Sequence, residues 1–413
     1  MTEQHPLSRT ALPGLEKRYR AEKRFKWTGI TVIAFSLAFL AFLIGAIAFK
    51  GIGAFQKTEV QLEITPEIVS EFGNDSFTLM RKIALYNLPE ANGRKGRREA
   101  YQLIGEGAEL DLTKELAKNT PMTKPIKIWL PTSDTVDMAF KADLSADMTT
   151  LFSEQQLQWI QNWDRSGALR TSFNTGFFTN GDSRDPERAG IGGALMGSIF
   201  TLIVCLGVTF IIGILAAIYL EEFADKNKFT SFLEVNINNL ATVPSIIFGL
   251  LGLAIFLNVM GLPRSSPLVG GLVLALMTLP TIIIASRVSL QAVPPSIREA
   301  ALGLGASQVQ MVFHHVMPLA MPGMLTGTIL GMARALGETA PLMMIGMVAF
   351  IVDPPSSFTD PATALPVQVF LWSDSPERAF AEKTAGAILV LLVFLVLMNL
   401  TAIILRKKLE KKW

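Results

Sequence analysis

The sequence predicts an α-helical membrane protein with six transmembrane helices and a small α+β domain between the first and the second. Three observations predict it. Half of the 413 residues are apolar and only 17% are charged, too apolar a balance for one soluble globule. Six apolar runs are long enough to cross about 30 Å of hydrocarbon. Between the first two runs lies a stretch of ordinary soluble composition, residues 50–188, long enough to fold alone.

The elements follow in order. Residues 1–26 are basic, with Arg9, Lys17, Arg18, Arg20, Lys23, Arg24 and Lys26. Positive flanks stay cytoplasmic. The uncharged run Trp27–Phe49 is the first span. A signal peptide is the rival reading, since Ala46–Ala48 could pass for a cleavage site, but the apolar core is longer than such peptides carry. Within 50–188, "VQLEIT" and "IKIWL" read as strands. "SEQQLQWIQNW" reads as a helix with Ser153 as N-cap, Gln156 three residues on, and Leu157, Ile160 and Trp163 on one face. "NGRKGRRE" (Asn92–Glu99) reads as a basic, glycine-broken loop, either merely solvated or attractive to an anion. The other spans are Ala189–Leu220, Val235–Pro263, Ser265–Ser286, Gly323–Phe350 and Thr384–Leu405, and together they make a core over 189–405. The tail 406–413, "RKKLEKKW", is basic again. Both ends inside requires an even number of spans, which places 50–188 outside the cell membrane.

Several chemistries are set aside. A net charge of +2 gives no sign of a nucleic-acid partner, and none is expected. The single cysteine, Cys205, lies in an apolar run, so an intrachain disulfide is impossible and a thiol nucleophile is not expected. His5, His314 and His315 have no companions at metal spacing, and no metal site is expected. Ser245 follows Pro244 within a span and reads as packing or helix adjustment.

Two segments invite a functional reading. The first is Pro294–Pro318, too polar to span and too short for a domain. Ser296 with Glu299, and Ser307 with Gln310, have capping-box spacing. Gly305 can close the first helix in the left-handed conformation, and Pro318 with Pro322 should block a continuous helix into the next span. Two short helices at a glycine elbow result, on the cytoplasmic side by the count of spans. The second segment is "ARALGETAPL" (Ala333–Leu342). Arg334 falls about 16 Å along the run that starts at Gly323, near mid-bilayer, where insertion costs about 2.5–3.5 kcal/mol. Glu338 follows at i+4, so the two can share a helix face. They form either a structural ion pair or an anion site, since a guanidinium fork suits phosphate. Gly337 allows close backbone approach, Thr339 supplies a hydroxyl, and Pro341 loosens the helix above the pair.

These segments carry a resemblance. "EAALGLGA" resembles the coupling loop of ABC importer permeases: Glu299, Ala300, Ala301 and Gly305 fit, while His315 and Met317 stand where that family carries an aliphatic residue and leucine. "RALGETAPL", "NNLATVPSIIFGLLGL" and "DPERAGIGGALMGS" look like the phosphate-specific ABC importer permeases. Sulfate and molybdate permeases favour Phe where this chain has Thr339, and Ala340-Pro341 favours the type A phosphate subunit. The match runs from Asp185 to the C-terminus, and Lys50–Arg184 resembles an uncharacterised extra domain of some bacterial members.

The resemblance implies the ABC importer permease fold in a bacterial inner membrane. It implies a heterodimer with a sister phosphate permease, two ATP-binding subunits that dock on the 294–318 loop, and an extracytoplasmic phosphate-binding protein. No cofactor is expected in this chain. It lacks the G-x-x-x-x-G-K-[ST] pattern, so ATP would be bound and hydrolysed by partners, and the chain is not expected to be an enzyme. The alternatives are a six-span sensor whose outer domain reads a ligand, or a permease for another oxyanion. A sensor would usually carry a cytoplasmic output domain, and none is read here.

Overall fold

The computed structural model describes residues 15–72, 75–118, 122, 124–142 and 150–409. Residues 1–14, with His5 and Arg9, and residues 410–413 of the basic tail lie outside them. The chain divides into two units, Met1–Lys50 and Gly51–Trp413. The first is dominated by one helix, α1 (Leu15–Gly51), which contains the first apolar run. The rest of the fold belongs to the second unit.

Its soluble part is a small α+β domain. Strand β1 (Gln56–Ile64) lies between β2 (Ile126–Pro131) and β3 (Leu169–Phe173), antiparallel to both. Val60, Leu62 and Ile64 are fully buried, because alternate strand residues face one side. Helices α2 (Ser76–Asn87), α3 (Gly93–Tyr101), α4 (Ala108–Lys118), α5 (Asp134–Lys141) and α6 (Glu154–Arg165) accompany the sheet. Leu79, Ile83, Leu103, Leu112, Val136 and Ile160 complete its core. Ser153 and Gln156 form the expected capping box of α6. Its buried face is Gln156, Trp159, Ile160 and Trp163, whereas Leu157 is only half-buried.

The basic stretch Asn92–Glu99 is not a loop but lies in α3. Arginine and lysine are good helix formers. Gly93, at φ 73°, makes the turn at its start, and Gly96 packs on the Ala91 backbone.

The membrane part begins with α7 (Gly192–Ile218), extended by a π turn over Tyr219–Phe223. Helix α8 (Lys228–Leu240) and α9 (Ser245–Gly252, continued by a π segment to Val259) are bent 104° apart. The Val235–Pro263 run is therefore not one straight span; Pro244 caps α9 and cannot continue α8. Next come α10 (Pro267–Gln291), α11 (Pro295–Gly303), α12 (Met317–Gly337), α13 (Ala340–Met344) and α14 (Arg378–Leu409). Among the described residues, five helical stretches are long and apolar enough to cross a membrane, six if the bent pair is counted as one span. The chain is thus an α-helical membrane protein carrying a small strand-containing domain.

Two expected boundaries move. The fifth span is helical from Gln308 to Gly337, not from Gly323 to Phe350. Pro318 and Pro322 do not interrupt it: Pro318 sits in the first turn of α12, after a π turn over Val312–Val316, and such a turn accommodates a missing donor. Helix α14 starts at Arg378, a turn and a half before Thr384.

Antiparallel α10 and α12 pack through small residues. Gly323 meets Ser289, Gly327 meets Ala285 and Gly331 meets Ile282. A glycine every fourth residue lets two backbones approach where lipid supplies no hydrophobic drive between helices.

Candidate translocation and coupling sites

The α10–α12 register fixes the position of Arg334. Gly331 lies against Ile282, so Arg334, three residues further along an antiparallel partner, lies near Leu279. Leu279 is the middle residue of α10, about as far from Pro267 as from Gln291. That is about 18 Å from either end. Arg334 therefore sits at mid-length of its neighbour although it lies in the last turn of its own helix.

Helix α12 stops there. Glu338 has extended backbone (φ −80°, ψ 124°), and α13 starts at Ala340. Arg334 and Glu338 do not share a continuous helix face as the i+4 spacing suggested. The side chains meet across the helix end instead, Arg334 Nε to Glu338 Oε1 at 3.4 Å. Pro341 sits in the first turn of α13, where its missing N–H costs no helical bond. Gly337 has no atom near its missing Cβ, so it leaves open space rather than a close backbone contact. The Arg334 side chain is 51% exposed and Glu338 is 19% exposed. Thr339, half-buried, starts the turn into α13.

Helix α13 is held by the bent pair. A Cβ on Gly249 of α9 would lie 2.8 Å from Pro341 Cα and 2.9 Å from Met344 Cβ. That contact seats α13 and, two residues upstream, Glu338.

The elbow stands at the other end of α7 from the α+β domain. Gly305 adopts φ 86° and ends the α11 turn. Ser307 and Gln310 form a capping box on the short helix Gln308–Met311. Ser296 and Glu299 do not form one, because Pro294 occupies the N-cap position of α11. Glu299, Ala300 and Gly305 are exposed, and Ala301 is buried. The tip is apolar and open: Leu304 is 91% exposed, with Leu302 and Val309 also exposed.

Sequence reading missed what holds the elbow. Arg298 Nη2 donates to Glu222 Oε1 at 2.6 Å and to Leu290 O at 2.9 Å, and its Nη1 donates to Val293 O at 2.7 Å. Glu222 lies in the π turn after α7, and its carbonyl also accepts from Gln308 Nε2 at 2.6 Å. Arg287 bridges Glu221 and Glu234 at 3.4 and 2.7 Å. The two acids of "YLEEF", next to an apolar span, were the available signal. The elbow is thus riveted to the ends of α7 and α10.

Residues 209–413 match the family "Binding-protein-dependent transport system inner membrane component", and residues 13–150 match a domain of unknown function, DUF3333. The phosphate transport system permease protein PstA of Haemophilus influenzae is 31% identical over 56% of this chain and 81% of its own. PstA 1 of Mycobacterium tuberculosis is 30% identical over 54% of this chain and 71% of its own. The chain belongs to the PstA-like ABC transporter permeases. The probable ABC transporter permease YqgI of Bacillus subtilis is 29% identical over 57% of this chain and 84% of its own. Among solved structures, the methionine ABC transporter MetNI in an inward-facing form aligns with a TM-score of 0.44 at 16% identity, over 54% of this chain and 96% of that one. As an ABC permease, the chain is a multi-pass inner-membrane transport component.

The seat of α13 gives a first expected outcome. Gly249→Val places carbons where Pro341 and Met344 already stand. Overpacking of this kind costs about 1–3 kcal/mol. Transport by the reconstituted permease complex should fall about tenfold at unchanged membrane level, with Gly249→Ala milder. Equal transport by wild type and Gly249→Val would show that the α9–α13 contact does not position the broken helix.

Proposed function

We propose that this permease is the type A subunit of an ATP-driven importer of inorganic phosphate, and that Arg334, Glu338 and Thr339 lie on the phosphate path. The observation that carries the reading is an arginine at mid-span, on a helix that ends there, with its side chain half uncovered. A guanidinium facing lipid at that depth is costly. A sister permease and a water-filled path between the two satisfy it. Broken helices near the midplane are a recurrent way to present charge and backbone groups to a transported ion.

The elbow would receive the ATPase. Leu304 and Leu302 offer an apolar tip, and the Arg298–Glu222 rivet would carry its displacement into α7 and α10. Glu299 contributes surface charge to that contact rather than a helix cap. Two ATP-binding subunits, one sister permease and an extracytoplasmic phosphate-binding protein complete the assembly. The basic ends of the chain put both termini and the elbow in the cytoplasm, and the α+β domain outside.

Radiolabelled phosphate uptake in cells lacking this chain tests the reading, with sulfate as control. Loss of phosphate uptake alone, restored by the chain, is the expected result. Loss of sulfate uptake instead would assign the permease to another oxyanion.

A further inference from the structure

The α+β domain joins the membrane part at the buried cluster of Ala54, Phe177, Phe380 and Ala387, and a second, smaller contact that transport does not explain lies just ahead of α7. Gly105, Glu106 and Gly107 receive the pair Glu187–Arg188, just ahead of α7. A Cβ on Gly105 would lie 2.9 Å from Glu187 Oε1, and a Cβ on Gly107 would collide with the Arg188 side chain. The Glu106 N–H donates to Glu187 Oε1 at 2.9 Å. Two glycines thus make room for two charged side chains. A separate tie stands beside this contact: Lys141 Nζ of α5 reaches Glu382 of α14 at 3.0 Å and the carbonyls of Gly53 and Gln56 at 2.8 Å.

The surroundings of Glu187 are acidic. Glu106 comes from the domain loop, Asp134 from the start of α5, Asp185 from its own segment and Glu377 from the loop before α14; all four line one cleft with Glu187. Arg184 lines it too, and Arg188 reaches Asp185 only at 4.0 Å. On the other side Asp137, Lys141, Glu382 and Lys383 share a small pocket with Glu187. Of these, Lys141 is engaged by Asp137 and Glu382, and Lys383 Nζ donates to Ala189 O at 2.9 Å. We propose that the contact of Gly105–Gly107 with Glu187–Arg188 is a proton-controlled latch, closed when Glu187 is protonated and loosened as pH rises on the domain's side of the membrane.

Burial, and then the charges of Asp134 and Asp185, push the Glu187 carboxyl up to about 7. The docked state therefore holds this proton more tightly than a released, solvated Glu187 does. Docking is most favourable in acid and weakens as pH climbs from the ordinary carboxylate range through 7. For an ordinary value of 4.5 rising to about 7, linkage gives about a tenfold loss in the docking equilibrium between pH 6 and pH 8. Lys141 and the two chain crossings beside it, where Asn174 N–H donates to Phe55 O at 2.8 Å, would keep the released domain tethered, so the motion is a tilt about that side.

Spin labels at Lys114→Cys in the domain and Asp374→Cys before α14 read the latch in the assembled transporter, since the native Cys205 is buried. Pulsed-EPR distances in samples frozen at pH 6 and pH 8 should show the displaced-to-docked ratio rising about tenfold. In Glu187→Gln the ratio should be the same at both values. Asp134→Asn, which removes one charge opposing Glu187 ionisation, should move the midpoint to lower pH. A wild-type ratio independent of pH, or an undiminished slope in Glu187→Gln, overturns the latch. Should Glu187→Gln fail to assemble, an unmoved midpoint in Asp134→Asn overturns it equally.

Discussion

Arg334→Gln should cut phosphate uptake roughly tenfold to a hundredfold while the complex still assembles. Hydrogen bonds to a charged partner contribute about 1.5–3 kcal/mol, and each 1.4 kcal/mol is about a factor of ten. Phosphate carries one to two negative charges at neutral pH, so an apolar path presents a high barrier to it. On the proposed reading, Arg334 would lower that barrier at mid-length of α10. An unopposed guanidinium would hold the anion too long. On the same reading Glu338, 3.4 Å away across the helix end, would occupy Arg334 when the path is empty and compete for it when phosphate arrives, which would keep binding weak enough for release. Glu338→Gln should therefore impair transport as well. Saturable uptake measured against external phosphate, at matched membrane levels, checks both variants.

Gly305→Val should uncouple the elbow. Nothing surrounds the missing Cβ, so the substitution meets no steric neighbour. The penalty is conformational: φ 86° suits glycine, and a β-branched residue held there costs about 1–3 kcal/mol. The elbow would reshape, and uptake should fall several-fold with insertion intact. Gly305→Asn is the discriminating control, because asparagine tolerates the left-handed region. If Asn keeps most of the activity that Val loses, the conformation of the elbow transmits the motion. Equal loss in both would point to the glycine surface itself, and no loss in either would remove the docking role of this loop.

Much of the fold was legible because apolar length and turn chemistry are local. The glycine elbow, the Ser307–Gln310 capping box, the Ser153 helix start and the strands of β1 and β2 were all readable from a few residues. The breaks were harder. Pro244 ends α8 with a 104° bend, whereas Pro318 and Pro322 leave their helix unbroken, and only the tertiary setting decides which proline breaks a span. The basic stretch at Asn92 misled because glycines suggested a loop where one turns into a helix and another packs inside it. At the candidate site, the depth of Arg334 was reckoned along a run starting at Gly323, whereas the helix starts at Gln308 and stops three residues after Arg334. The Arg298–Glu222 rivet and the Glu187 contact join residues far apart in the chain, and no local pattern announces such pairs.

The double variant Arg334→Met, Glu338→Leu tests the central claim most directly. A purely structural ion pair can often be replaced by packed apolar groups with little loss, whereas a phosphate-handling pair cannot. The measurement is labelled phosphate uptake by the assembled complex, at membrane levels matched to wild type. Uptake no better than that of Arg334→Gln is the predicted result. Wild-type uptake by the double variant would contradict a role for these two residues in carrying phosphate across the membrane.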